Sequence, residues 1–286
     1  MQSNNISRFV CFAAISAVLA LPALLRAQSP WLLPAGEGSL STGASFSAFD
    51  KFFVGTTEMT LPADIKQRSL YATFEYGIAP RWALDLSLGH TETKFDPPGA
   101  NFRRGGIDDT HFGLSYALLE ESGDTPAVAV RLGAIIKGGY SVLNSLPPIN
   151  PGDGANGFEV SLLAGKTLAE GFSVYGELGY RNRSDNVPDD FDFVAGLGKR
   201  IGDVNLNIAY RRTAGQTGGD IGGPGFGSTF GFQQVKEVSQ SFEGGVSYTD
   251  SGGRSYSFLV AKKFGSLRNT GKATIYSIGI SVPFRF

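Results

Sequence analysis

Apolar side chains alternate with polar or small ones through most of this sequence, and this period of two residues is its most restrictive feature. The alternation is plain in residues 82–89, 128–137, 204–211 and 276–286. Successive side chains of a β-strand point to opposite faces, so each segment is predicted to be a strand with one apolar face. The 39 Gly, 22 Phe and 10 Tyr agree, since this composition favours strands and turns over helices.

Residues 1–27 have the pattern of a secretory signal peptide. Arg8 precedes an apolar run over residues 9–25, and the segment ends on a small residue. The run is short for a membrane-spanning helix, and no stop-transfer charges follow it. We therefore predict two parts, a cleaved signal peptide over residues 1–27 and one domain over residues 28–286.

Charge and cysteine content exclude several kinds of partner and site. The 25 Lys and Arg nearly balance the 26 Asp and Glu, which disfavours a nucleic-acid surface. Cys11 is the single cysteine and lies inside the apolar run, too early for a lipoprotein anchor. The mature chain then has no disulfide, thiolate zinc site or cysteine nucleophile.

Twelve alternating segments follow one another after the signal peptide, and most have about the 9–11 residues that a tilted strand needs to cross a bilayer. No stretch there approaches the 18 or so apolar residues of a membrane helix, so a closed barrel is the remaining way to satisfy the backbone in a membrane. The segments lie near residues 38–49, 67–77, 82–93, 107–119, 126–138, 157–168, 172–183, 191–200, 204–213, 237–249, 255–264 and 273–286.

The connections between these segments alternate in length, as they do in outer-membrane barrels. Short turns are predicted near 77–81, 120–125, 169–171, 201–203 and 250–254, and longer links near 50–66, 94–106, 139–156, 184–190, 214–236 and 265–272. A soluble β-sandwich, the alternative, gives no reason for this pattern. The sequence predicts an all-β fold, a single antiparallel transmembrane β-barrel of about 12 strands in the bacterial outer membrane, with both termini on the periplasmic side.

Two of the long links have unusual compositions. Residues 147–152 are rich in proline, and residues 214–236 are rich in glycine. Such segments are typical of flexible surface loops, which is the interpretation we favour. The alternative is a loop that folds into the lumen and narrows it.

Enzyme-like fragments in the sequence are incomplete. Gly165-Lys166-Thr167 resembles the end of a phosphate-binding loop, but Val160 stands where that motif needs glycine. The two histidines, His90 and His111, lack the His-x-Ser-Asn run of outer-membrane phospholipases and have no metal-site spacing. We predict no catalytic, cofactor-binding or metal-binding residues, and a lipid hydrolase is the least favoured alternative.

Four short motifs resemble a known family. They are Leu33-Pro34-Ala35-Gly36, the segment Glu75-Tyr76-Gly77-Ile78-Ala79-Pro80-Arg81-Trp82, Gly106-Ile107-Asp108-Asp109, and the terminal Phe286. The chain thereby resembles the outer-membrane proteins associated with the meta-pathway of phenol degradation, a broad group of transport barrels. The resemblance implies passage of small, hydrophobic or aromatic compounds and supplies no catalytic residues.

From the alternation we predict a passive channel or facilitator for small solutes, whose partners are outer-membrane lipid and a small-molecule solute. A structural or adhesive barrel with a side-chain-blocked lumen is the alternative. The inward charges are expected either to form a gradient with mild anion preference or to pair across the lumen. The predicted lumen-lining residues are Glu75, Asp85, His111, Arg131, Lys137, Glu159, Glu177, Arg181, Arg211, Glu243, Lys263 and Arg285.

The terminal Phe286 ends an alternating apolar strand and resembles the signal read by the barrel-insertion machinery. Because that signal would be read while the chain is unfolded, deleting Phe286 should lower the amount of inserted protein more than it weakens the finished barrel. Heat-modifiability of outer-membrane fractions measures the yield. An unchanged yield would contradict the assembly role.

Overall fold

The structure, a computed structural model, describes residues 29–140 and 151–286 and consists almost entirely of β-strands. The predicted signal peptide therefore lies outside the described residues, and the division at residue 27 stays a prediction. The strands are β1 (Glu37–Val54), β2 (Thr57–Ala79), β3 (Trp82–Phe95), β4 (Phe102–Ile107), β5 (Thr110–Leu119), β6 (Ala127–Ile136), β7 (Gly157–Thr167), β8 (Phe172–Arg183), β9 (Asp190–Ile201), β10 (Val204–Gly215), β11 (Val238–Thr249), β12 (Ser255–Lys263) and β13 (Thr274–Arg285).

These strands form one closed antiparallel barrel. β1 pairs with β2 on one side and with the last strand, β13, on the other, so the ring has no free edge. Segments β4 and β5 both pair with β3, one after the other, and share a single place in the ring. The 13 strand segments therefore make a 12-stranded barrel, as the sequence predicts.

The prediction of a long link near residues 50–66 is wrong. β1 and β2 continue through it as a hairpin whose paired residues run up to Val54 and Thr57, with a register shift between Phe49 and Lys51. Bulky residues of the hairpin, including Phe52, are buried against a neighbouring loop. This packing explains why a connection of this length is a regular hairpin rather than an irregular loop. The next link, near 94–106, also contains a strand, β4.

The outward face of the barrel is apolar, as the alternation predicts. Leu132, Leu206, Ile208 and Ile278 are among its exposed side chains, and Leu84, Leu86, Val130 and Ile280 are partly exposed on the same face. Two aromatic groups lie at the ends of this apolar belt. At the end with the short turns, which we call the turn end, they include Tyr76, Trp82, Tyr116, Phe284 and Phe286, and at the opposite loop end Tyr180, Phe191, Tyr210, Phe242 and Phe264. Aromatic girdles in these positions are typical of membrane barrels.

Helical structure in the described residues is limited to two single-turn 3-10 helices, Ala169–Gly171 and Phe232–Gln234. None of it is long and apolar enough to cross a membrane.

An arginine placed in the middle of the apolar belt should destabilise the barrel. Ile208→Arg should lower the free energy of unfolding in lipid vesicles by about 2–4 kcal/mol, because the charge lies at mid-depth. Ile201→Arg, equally exposed but beside a turn, is the control and should cost about 0–1 kcal/mol. Urea titration measures both, and equal costs would show that residue 208 does not face lipid.

Candidate channel lumen

The inward face of the barrel is polar in its middle third, and Arg131 on β6 is the centre of one charged cluster. Its Nε and Nη2 donate to the two carboxylate oxygens of Asp85 at 2.8 and 2.7 Å, and its Nη1 donates to Glu159. His111 lies with its Nδ1 3.5 Å from Glu159. The guanidinium is almost fully buried, so its charge is balanced by fixed carboxylates rather than by bulk water.

A second charged cluster lies nearer the loop end, on β8 and β9. Arg181 donates to Asp190 at 2.8 Å and lies 3.0 Å from Asp192, and Arg183 pairs with Asp190 and Asp153. On the next two strands, β10 and β11, Arg211 donates to Glu243 at 3.1 Å. In these contacts opposite charges pair along the wall, mostly between adjacent strands, and not across the lumen as one of the two expected arrangements had it.

The remaining predicted residues lie around these clusters or at the rims. Glu75 is paired in register with Asp85, and Glu177 accepts a hydrogen bond from Ser161 at 2.9 Å. Lys263 donates to Thr270 at 2.8 Å, near the loop end. Lys137 lies one residue past β6 and is exposed, and Arg285 lies at the turn end, 3.9 Å from Glu37.

Sequence reasoning missed Asp190 and Asp192, which complete the pairing of Arg181. Their spacing of two residues, in phase with buried Val194, was the available signal, but the strand was predicted to begin one residue later. It also missed that His90 lies on the outward face, where it is exposed and opposite Leu70.

The glycine-rich link between β10 and β11 folds over the loop end of the barrel. Ile221, Phe232 and Val235 of this link form a buried apolar cluster with Phe52, and Phe49 packs against it from β1. The favoured interpretation of a flexible surface loop is therefore wrong for this link, because its few large apolar side chains bury themselves against the β1–β2 hairpin. The proline-rich link at 147–152 lies mostly outside the described residues.

Asn269, between β12 and β13, connects three loops through one buried amide. Its Oδ1 accepts hydrogen bonds from the backbone of Gly55 and Ile221 at 2.8 and 3.1 Å. Its Nδ2 donates to Asp220 at 2.9 Å and to the carbonyl of Lys236 at 2.8 Å. The backbone of Asn269 has a φ of 49°, a left-handed conformation that asparagine tolerates better than most residues.

The neighbouring residue Arg268 strengthens this three-loop junction. Its guanidinium donates to both carboxylate oxygens of Asp220, at 2.7 and 2.5 Å. The hydrogen bonds from Arg268 hold the pKa of Asp220 below its ordinary value. The junction therefore keeps its charges at neutral and mildly acidic pH.

Beneath the folded loop is a cavity of about 400 Å³. One wall is apolar and includes Phe49, Phe52, Ile65 and Phe232, and the facing strands contribute Arg181, Arg183, Asp190 and Thr213. Among the described residues, Arg183 Nε, Gln233 Oε1 and Thr93 Oγ1 line this cavity as buried atoms without a hydrogen-bond partner. The cavity thus offers an aromatic surface together with unsatisfied donors and acceptors.

The turn end of the lumen is crossed by the segment of residues 29–36, which we call the strap. Trp31 donates from Nε1 to Glu121 at 2.6 Å and lies over Gly165 of β7, where an added Cβ would come within 2.6 Å of its ring. On another wall, Gly36 donates to the carbonyl of Gly77 on β2 at 2.8 Å. Because β7 is four places from β2 in the 12-stranded ring, the strap crosses part of the opening.

No group of three or more His, Cys, Asp or Glu side chains in residues 29–140 and 151–286 is arranged to hold a metal ion. The inward carboxylates are instead arranged around arginines.

Comparison with known proteins assigns both family and fold. Residues 36–271 match the family described as "Putative MetA-pathway of phenol degradation". A search of curated proteins finds no significant match.

Several solved outer-membrane barrels have a similar structure. The COG4313 outer membrane channel from Pseudomonas putida F1 superposes with a TM-score of 0.65 at 13% identity, over 88% of this chain and 97% of that one. The KdgM porin gives 0.52 at 9% identity over 86% and 99%, and the translocator domain of the autotransporter NalP from Neisseria meningitidis gives 0.50 at 13% over the full length of both. These likenesses establish the fold, which is shared by proteins of different activities.

Removing Arg131 should be costly because it leaves two carboxylates without their counter-ion. Arg131→Ala should lower the free energy of unfolding by about 3–5 kcal/mol, and adding Asp85→Ala and Glu159→Gln should recover part of the loss. Arg254→Ala, which breaks an exposed pair with Asp250, is the control and should change little. Urea unfolding in vesicles measures all of them, and a small effect at Arg131 would mean that water already solvates the cluster.

Proposed function

The chain belongs to the phenol-degradation MetA-pathway family, and we propose that it is an outer-membrane channel for the passive passage of small, hydrophobic or aromatic solutes. The outward apolar belt with its two aromatic girdles supports a position in the membrane, since these surfaces would otherwise be exposed to water. Secretion would leave both termini and the short turns on the periplasmic side. The loop end then faces outward, and outer-membrane lipid and the insertion machinery are partners.

The cavity at the loop end is the observation that carries this proposal. Its volume of about 400 Å³ falls in the range of small-molecule sites, although its lining is more polar than is usual for them. The phenylalanines supply a surface for a planar or apolar ring, and Gln233, Arg183 and Thr93 supply hydrogen bonds for a substituent. A solute entering from outside would meet this cavity, with Arg181, Arg183 and Asp190 in its wall, before the cluster around Arg131.

The charged middle of the lumen suits neutral solutes better than ions. Each of the arginines at 131, 181, 183 and 211 is paired with at least one carboxylate, so none of these positive charges lines the path without a counter-charge. Fixed, paired charges also keep water in the path without strongly binding a counter-ion. The mild anion preference expected from the sequence stays a prediction, and the excess of carboxylates over arginines in these contacts argues against it.

The strap favours the alternative function, a structural or adhesive barrel with a blocked lumen. Trp31 fills space over Gly165, and Leu163, Ala127 and Ala129 on the inward wall at this end are fully buried. A channel function therefore requires the strap to leave a narrow path or to move. Trp31 is therefore the residue whose substitution best distinguishes a channel from a blocked barrel.

The two tryptophans of the chain allow a matched test. Trp31→Ala should raise the single-channel conductance in planar bilayers several-fold and speed the entry of benzyl alcohol into proteoliposomes, because it opens the turn end. Trp82→Ala, on the outward face, removes an equal ring and should leave both unchanged.

Measurable flux through the wild-type barrel that exceeds the flux of glycerol, a polar solute of smaller size, would support the proposed solute class. If neither the wild type nor Trp31→Ala conducts ions or passes benzyl alcohol, the channel proposal is wrong and the blocked barrel is favoured.

A further inference from the structure

Three cations stand side by side on the outward face near the loop end. In the register of the sheet, Lys66 on β2 is directly opposite Lys94 on β3, and Lys94 is directly opposite Arg103 on β4. Neighbouring strands are about 4.8 Å apart, so the three backbone positions span only about 10 Å. Like charges placed directly opposite each other destabilise a sheet, so this row is unfavourable to the extent that neighbouring carboxylates or a bound anion do not offset it.

The surrounding charges do not cancel the row. Arg68 lies opposite Glu92 in the next row, Glu92 accepts from Arg103 at 2.5 Å, and Asp96 lies 2.6 Å from Lys94. Asp64, exposed two residues from Lys66 on the same face of β2, is a third carboxylate. Counted with Arg68, four cations thus face three carboxylates, Glu92, Asp96 and Asp64, and the surface keeps a net positive charge. The exposed His90 lies one row further toward the middle and would add charge when protonated.

An apolar groove begins directly below these cations. Its lining includes Arg68, His90 and Arg103 together with Phe46, Leu70 and Ile278. Phe46 lies in the row of Arg68, and Leu70, His90 and Ile278 lie in the next row toward the middle of the barrel. Leu70 and Ile278 are more than 60% exposed, so the groove opens on the surface that we place in contact with lipid. Lys66 and Leu70 are four residues apart on one strand, which is about 13 Å. A molecule that contacts both the cations and the groove needs an anionic head and an apolar tail.

Within residues 29–140 and 151–286, this arrangement of opposed cations lies on one side of the barrel. On the far side, at the same end, the outward positions include the aromatic side chains of Phe191, Tyr210, Phe242 and Phe264. The outward cations there, Arg212 and Lys262, stand opposite Gln240, Phe193, Phe242 and Thr274 and never opposite another cation.

We propose that the surface formed by Lys66, Arg68, Lys94 and Arg103 with the groove below it binds a phosphate-bearing lipid of the outer leaflet. Clustered basic side chains at a membrane surface attract anionic headgroups, and guanidinium groups bind phosphate with paired hydrogen bonds. The headgroup phosphate would lie among the cations and one acyl chain would lie along Phe46, Leu70 and Ile278. The assignment rests on the proposed function only for the orientation that places the loop end outward.

A charge-removal variant tests the site in detergent micelles. The variant Lys66→Gln, Lys94→Gln and Arg103→Gln should bind bisphosphorylated lipid A on the order of 100-fold more weakly than the wild type. The control is Arg212→Gln with Lys262→Gln, which removes isolated cations at the same end and should bind as the wild type does. Titration calorimetry measures the affinities.

Thermal unfolding is a second measurement, in which the expected order of stability of the wild type and the triple variant differs without and with lipid. Without lipid, the triple variant should be as stable as the wild type or more stable, because the repulsion within the row is gone. With bisphosphorylated lipid A, the wild type should be stabilised and the triple variant should not. A variant that is less stable without lipid would show that the cations serve the fold, and would overturn the proposal.

Two further binding experiments identify which part of the lipid is recognised. Lipid A without its phosphates should bind the wild type no better than it binds the triple variant, and equal binding of both lipids by the wild type would overturn the phosphate assignment. Inorganic phosphate alone should fail to stabilise the wild type at millimolar concentration; full stabilisation by it would show that the groove takes no acyl chain. The triple variant should still pass benzyl alcohol in proteoliposomes, so a failure of lipid binding is distinguishable from a failure of the channel function.

Discussion

Closure of the hydrogen-bonded ring is the constraint on which the rest of this structure depends. Within a bilayer no water is present to satisfy a free strand edge, and the pairing of β1 with β13 removes that edge. Once the ring is closed, alternation assigns every side chain to lipid or to the lumen. Arg131 lies inside because Val130 and Leu132 lie outside, and the same logic places Arg181 and Arg211.

The parts of the fold that follow from alternation could be predicted from the sequence, and the parts that depend on packing between loops could not. Strands such as β8 and β10 show a regular period and short turns, and their predicted positions agree with the structure to within two residues. The hairpin beyond Phe49 was missed because its side chains pack against the β10–β11 link, which lies far away in sequence. No local pattern in a glycine-rich segment indicates that Phe232 packs against Phe52.

In the charged lumen, too, some features could be predicted from alternation and others depend on contacts between strands. Periodicity identifies Arg131, Glu159 and Arg181 as inward residues, but partner choice depends on the stagger between strands. Asp85 reaches Arg131 from two places away in the ring, which no pattern within one strand reveals. The position of the strap was equally hidden, because residues 29–36 form no regular element and are located by a contact between Trp31 and a glycine on a distant strand.

The amide of Asn269 uses its whole hydrogen-bonding capacity, with two bonds accepted and two donated, to join the β1–β2, β10–β11 and β12–β13 loops. If one of these loops lifts away, the others are left with buried polar groups that lack partners, which raises the energy of any half-open arrangement. The three loops are therefore coupled energetically through one side chain, so a substitution at residue 269 would weaken all three together rather than one of them alone.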